Sequence, residues 1–177
     1  LPLYQQALEI LGKSLGTDHL DYAIYLDNLA VLHQLMRQYK QALPLYQQAL
    51  EILGKSLGTE HPDYATCLNN LAVLYESMGQ YEQALPLHQQ ALEIRGKILG
   101  TDHPNYADSL YNLAVLYRSM GQYEQALPLS QQALKIIGKI LGTDHPDYAA
   151  FLNNLAVLYE SMGQYEQALP LSQQALK

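Results

Sequence analysis

The side chains of this sequence whose types and spacing could do chemistry are four regularly spaced histidines, one cysteine and two Gly-Lys-Ser tripeptides. His19, His61, His103 and His145 recur every 42 residues. Imidazole is a common metal ligand, but these four lie in successive loops, ahead of helices expected to pack about 10 Å or more apart. Metal bonds of about 2 Å cannot be shared across that gap, so helix capping is the expected role. Gly12-Lys13-Ser14 and Gly54-Lys55-Ser56 resemble the end of a phosphate-binding loop. Ala7 and Ala49 replace the earlier glycine of that motif, and the tripeptides fall at helix ends rather than after a strand. Cys67 has no base near it in sequence and adjoins Leu68, which reads as a packed thiol rather than a nucleophile. No Ser/His/Asp pattern and no isolated pair of carboxylates stands out. The expectation is no enzyme, no cofactor and no metal.

A second regular set is amidic. Asn28, Asn70, Asn112 and Asn154 each stand one residue before an unvarying leucine. A primary amide offers both donor and acceptor, which suits the backbone of an extended ligand or of any peptide group. It equally suits a tie between neighbouring helices, and both roles stay open.

The elements that must position these residues follow from the repeat. The stretch 68–87 returns at 110–129 and 152–171, with a looser copy at 26–45, always at an offset of 42 residues. A fixed period of this size marks a stacked repeat array. Leu68, Leu71, Ala72 and Tyr75 make one apolar stripe at i, i+3, i+4 and i+7, which predicts a first helix, A. Pro62 suits its first turn, and Gly79 its end, where a tight reversal needs a left-handed residue. A second helix, B, runs from Tyr81 to a stop at Gly100, and helices of this size are about 25–30 Å long. Pro44, Pro86, Pro128 and Pro170 fall inside helix B, where proline normally kinks a helix. Gly12, Gly54, Gly96 and Gly138 are expected to weaken its last turns by roughly 1 kcal/mol each. The first full repeat departs from the rest, with Arg37 at the glycine position and Leu20 at the proline, so it should be the least stable.

In this unit Leu71, Ala72, Tyr75, Gly79, Tyr81, Ala84 and Ala91 match the spacing L-A-x2-Y-x3-G-x-Y-x2-A-x6-A of the tetratricopeptide repeat. The common form of that repeat has 34 residues. The longer unit here, with linkers such as Leu99-Gly100-Thr101-Asp102-His103-Pro104, resembles the kinesin light chain variety. The resemblance implies an all-α fold, a right-handed superhelical α-solenoid of antiparallel helix pairs. It also implies that helix B tolerates its proline. The expected organisation is an orphan second helix at 1–16 and repeats at 20–58, 62–100, 104–142 and a shortened 146–177, as if excised from a longer array.

Composition narrows the partners. The chain has 177 residues, 49% of them hydrophobic, and a net charge of −7. That charge argues against non-specific binding to nucleic acid or an anionic membrane. A single cysteine excludes an intramolecular disulfide framework. With no long apolar run and no signal-peptide pattern, the expected location is cytoplasmic.

Comparison of the units within the chain shows where a partner would be read. Segments 61–87 and 145–171 differ only at Thr66/Ala150 and Cys67/Phe151. Across the four units helix A varies most at Ile24/Thr66/Asp108/Ala150, at Tyr25/Cys67/Ser109/Phe151 and at Asp27/Asn69/Tyr111/Asn153. By resemblance, A helices line a concave groove, and the first and third of these sets face it, while the second is expected to pack between helices. A later groove position reads Gln34, Glu76, Arg118 and Glu160, and the asparagine set has Val31, Val73, Val115 and Val157 for neighbours. The related light chains favour acidic peptides through basic groove residues. Here Asp27, Glu76, Asp108 and Glu160 stand against Arg118 alone, so that preference does not carry over. The expected function is a non-catalytic protein-interaction scaffold binding a neutral or basic extended segment, with an apolar anchor near Tyr111 and Val115. A self-associating array, stacked through its uncapped ends, is the alternative.

Overall fold

A computed structural model describes residues 2–176, and among these every regular element is an α-helix. Leu1 and Lys177, the outermost positions of the first and last expected segments, lie outside the described residues. The helices are α1 (Pro2–Ser14), α2 (Leu20–Leu35), α3 (Tyr39–Leu57), α4 (Pro62–Ser77), α5 (Tyr81–Leu99), α6 (Pro104–Ser119), α7 (Tyr123–Leu141), α8 (Pro146–Ser161) and α9 (Tyr165–Ala175). They group into two units, Leu1–Ile94 and Arg95–Lys177, with the division inside α5.

Each A helix starts the same way. The Nδ1 atoms of His19, His61, His103 and His145 accept the backbone N–H two residues on, at 3.1–3.2 Å. The imidazole thus satisfies one of the donors that a helix start leaves orphaned. In α4, α6 and α8 proline follows, at a position that has no N–H to satisfy.

Helix A ends by a Schellman reversal. Gln80 N–H donates to Tyr75 O at 2.8 Å and Gly79 N–H to Glu76 O at 2.9 Å, with Gly79 at φ 72°. Arg37 takes the same geometry at φ 58°, with Gln38 N–H on His33 O. A side chain in the left-handed region is strained by roughly 1–2 kcal/mol.

In the first unit α2, α3 and α4 share a core of Ala23, Leu26, Ala42, Tyr46, Ala49 and Leu74, among others, all buried. A further cluster joins Ala65 and Leu68 of α4 to Ala91 and Ile94 of α5. In the second unit Ala114, Ala126, Leu155 and Leu158 join α6, α7 and α8. Helices α3, α5, α7 and α9 run unbroken past their prolines.

The glycines late in helix B have a packing role. The tyrosine of the following A helix lies across each of them, Tyr22 on Gly12, Tyr64 on Gly54, Tyr106 on Gly96 and Tyr148 on Gly138. A Cβ built on Gly138 would stand 2.9 Å from Tyr148 Cε2, and one on Gly96 3.0 Å from Tyr106 Cε2. On Gly12 it would meet Tyr22 at an ordinary 3.5 Å. Gly138→Ala should therefore lower stability by about 1–3 kcal/mol through overpacking. Gly12→Ala should raise it by about 0.5–1 kcal/mol through backbone entropy. Urea midpoints followed by circular dichroism check both signs, and two shifts of the same sign would refute the packing argument.

Candidate functional site

The structure divides the variable side chains of the A helices, burying Cys67, Asn69, Ser109 and Phe151 and leaving Ile24, Thr66, Asp108 and Asn153 exposed. In the first unit, Asp27 of α2 and Asn70 of α4 meet across the helix pair, Asn70 Nδ2 donating to Asp27 Oδ2 at 2.9 Å. Asn28 and Thr66 are exposed, and the Thr66 hydroxyl turns back to Pro62 O at 3.1 Å. Val73 is 37% exposed and Leu35 77%, high values for aliphatic side chains.

Two pockets flank the Asp27–Asn70 bridge. One, of about 220 Å³, is lined by Val31, Gln34, Leu35, Tyr46, Asn70 and Val73. The Tyr46 hydroxyl donates to Gln34 Oε1 at 3.0 Å. The other, of about 270 Å³, has Ile24, Leu53 and Cys67 for walls, with Asp27, Asn28, Asp63 and Thr66 also lining it.

Burial pushes the Asp27 carboxyl above its ordinary range, against hydrogen bonds from Cys67 and Asn70 that lower it. Its Oδ1 is buried with no N–H or O–H donor in reach, and the thiol is a weak donor. The Cys67 thiol is itself pushed up by burial and by the Asp27 charge, which makes it inert as a nucleophile. It makes a long contact, 3.8 Å, to Tyr46 O.

A carboxyl whose folded value is raised favours the protonated state. Its contribution is fully present below the unfolded value of about 3.9 and is lost as pH rises through the folded value. At neutral pH the Asp27 charge therefore costs stability. Asp27→Asn, which keeps an acceptor for Asn70, should stabilise the fold at pH 7 by about 1 kcal/mol and flatten its stability profile above pH 4. Chemical denaturation at pH 4 and pH 7 reads this directly, and a loss of stability at pH 7 contradicts it.

Asn69 departs from the groove-facing expectation. It is 5% exposed, and its amide Oδ1 lies 2.7 Å from Nδ1 of the fully buried His88 in α5. The opposite ring nitrogen, Nε2, donates to Glu76 Oε1 at 2.6 Å. Asn69 therefore belongs to a buried polar network, because an amide and an imidazole left unpaired there would be costly. Glu76 is half-buried at the outer end of that network.

In the second unit Tyr111 is half-buried and its ring packs on Phe151, centroids 4.9 Å apart. The expected anchor near Tyr111 and Val115 thus has its aromatic ring engaged with α8. Asn154 is likewise 5% exposed, and Arg118 donates to its Oδ1 at 3.2 Å. The asparagine set consequently does not share one environment. Asn70 and Asn154 tie neighbouring A helices, Asn112 is half-buried and Asn28 is exposed. Asp108, Asn153 and Glu160 are exposed, and Val115 is half-buried.

The sequence reading missed the layer beneath. Arg95, 6% exposed, donates to Asn105 O at 3.0 Å and to Ser109 Oγ at 2.9 Å. Position 88 of helix B reads Tyr46, His88, Ser130 and Ser172 in the successive repeats. In two repeats that residue bonds the groove position of its own A helix, Tyr46 to Gln34 and His88 to Glu76. The signal is present in the sequence as variation at that position of a largely copied helix.

The residues first considered for other chemistry have structural partners. The capping histidines use Nδ1 within their own turns, and Lys55 pairs with Glu51 one helical turn away at 2.6 Å. Among the described residues no helix is long and apolar enough to cross a membrane.

A family model described as tetratricopeptide repeat matches residues 1–55, 29–97, 72–139 and 109–177, which together span the chain. None of the curated proteins compared gives a significant match. Among solved structures, BtubC (BKLC) from P. vanneervenii superposes with a TM-score of 0.85 at 26% identity, covering 98% of this chain and 69% of that one. A kinesin light chain-like protein of Podosopora anserina with nearly identical TPR-like repeats gives a TM-score of 0.79 at 32% identity. A single-substitution form of that protein gives 0.82 at 31%. Both of these comparisons cover 98% of this chain and 82% of the other.

Proposed function

The chain belongs to the tetratricopeptide-repeat family, in its kinesin light chain-like variety, and from this we infer a module that binds an extended segment of a protein partner on the outward face of its A helices. Repeats of this family are generally non-catalytic and mediate protein–protein contacts, and the all-α solenoid is the fold that goes with that role.

The finer reading rests chiefly on one observation. The α2/α4 face presents two pockets beside exposed aliphatic and amide side chains, on a scaffold whose repeats otherwise copy one another. A rigid helix pair with side chains that change from repeat to repeat can distinguish one sequence from another. Exposed Asn28 and half-buried Asn112 offer amide groups to a ligand backbone, and Asp108, Asn153 and Glu160 add outward polar groups in the second unit. The preponderance of carboxylates over Arg118 favours a neutral or basic segment and disfavours nucleic acid.

Panning the purified chain against a displayed library of short peptides tests the reading. Neutral or basic peptides should be enriched, and Val73→Asp should abolish that enrichment while leaving the helical circular dichroism intact. Enrichment of strongly acidic peptides, or none at all, would overturn it.

A further inference from the structure

The pair of pockets on the α2/α4 face points to a more specific ligand. We infer that this face seats a partner segment carrying one aliphatic and one basic side chain, the first between Val31, Leu35 and Val73, the second beside Asp27. This rests on the peptide-binding reading above and deepens it.

The first pocket has aliphatic walls, and two of them, Leu35 and Val73, remain substantially exposed. Tyr46 is fully buried and spends its hydroxyl on Gln34, which leaves little in the pocket to solvate a polar ligand group. An aliphatic side chain would cover Leu35 and Val73 without stranding a donor or acceptor.

The second pocket is more polar, with Asp27, Asn28, Asp63 and Thr66 in its lining. Its walls, Ile24, Leu53 and Cys67, are apolar, and Asp27 brings a carboxylate among them. That carboxylate has a strong donor on one oxygen only, from Asn70. Asp63 lines the same pocket, and no lysine or arginine does. A lysine or arginine stem fits beside Ile24 and Leu53, because such side chains bury their methylenes while the head group seeks an anion. A small turn of the carboxylate would offer the under-bonded oxygen to the incoming N–H, forming a charge-assisted hydrogen bond.

The two pockets lie along α2, about two turns apart. Asp27 and Gln34 are seven residues apart, about 10 Å along a helix. An extended chain rises about 3.3 Å per residue, so the two ligand side chains should be roughly three residues apart.

The test uses two displayed peptide libraries. One carries a single aliphatic residue and a single lysine or arginine at every relative spacing. The other has glutamine in place of the basic residue. Wild type should enrich the basic library about tenfold over the glutamine library, the ratio that one charge-assisted bond confers, at one preferred spacing. Asp27→Asn should erase that ratio while keeping enrichment itself, and Leu35→Ser/Val73→Ser should erase the aliphatic preference. Thermal melts of each variant establish that it is folded. Equal enrichment of both libraries by wild type would overturn the inference and leave the peptide-binding reading standing. Enrichment of neither would remove both.

Discussion

Replacing His88 by alanine should destabilise the protein by about 3–5 kcal/mol, because the buried ring leaves two partners behind it unpaired. Asn69 is 5% exposed and would lose its contact at 2.7 Å, and Glu76 would lose the donor that holds its carboxylate at 2.6 Å. Fully buried imidazole contributes packing as well, so a cavity term adds to the polar one. The contact with Glu76 requires a proton on Nε2, and the Asn69 amide can meet Nδ1 with its oxygen or, after a half-turn, with its NH2. A double-mutant cycle of His88→Ala with Glu76→Ala isolates the pair. Its coupling should be about 1.5–3 kcal/mol, as for hydrogen bonds to charged groups. Simple additivity within about 0.5 kcal/mol would mean that the ring acts through packing alone. The same layer bears on recognition. Glu76 is one of the residues proposed to meet a partner, and the bond from His88 fixes the orientation of its half-buried carboxylate.

The second large effect is expected at Arg95. Its guanidinium is almost wholly buried, where it donates to Ser109 and to the Asn105 carbonyl. Arg95→Ala should cost about 3–5 kcal/mol, since it strands buried acceptors and empties a large volume. The preceding repeat shows how the same site is built without charge. Leu53 and Cys67 occupy the matching positions and lie together in the core of α2, α3 and α4. Arg95→Leu/Ser109→Cys should therefore regain most of the lost stability and could exceed wild type, as apolar replacements of buried polar pairs often do. Urea midpoints of the three proteins decide the matter. A double variant no more stable than Arg95→Ala would show that the site demands its polar partners.

The architecture was legible because the sequence repeats it. The stripe Leu68, Leu71, Ala72 and Tyr75, the prolines of the first turns and Gly79 all act locally, and local rules read them correctly. The histidine caps were legible for the same reason. Sequence placed Cys67, Ser109 and Phe151 between helices, where they are buried, but could not separate ligand-facing from helix-facing members of the Asp27/Asn69/Tyr111/Asn153 and asparagine sets. Asn69 and Asn70 are neighbours in the chain, yet one is buried against α5 and the other reaches Asp27 on α2. A rotation of 100° between adjacent helical residues separates those fates, and only the packing of the flanking helices fixes which is which. The packing role of Gly96 and Gly138 was hidden for a related reason. Their cost to helix propensity is local, whereas the tyrosine ring that needs the missing side chain arrives from the next helix.

That tyrosine-on-glycine contact has a consequence for how such a chain can change length. The glycine and its tyrosine are ten residues apart in sequence, Gly96 with Tyr106 and Gly138 with Tyr148. Every 42-residue copy therefore carries one half of the joint at its end and the other half at its beginning. A duplication or deletion of one whole copy rejoins a fitting glycine to a fitting tyrosine wherever the break falls. Lengthening the array in this way needs no new interface to be invented, so gene rearrangement can adjust the number of repeats while the joint between them is inherited ready-made.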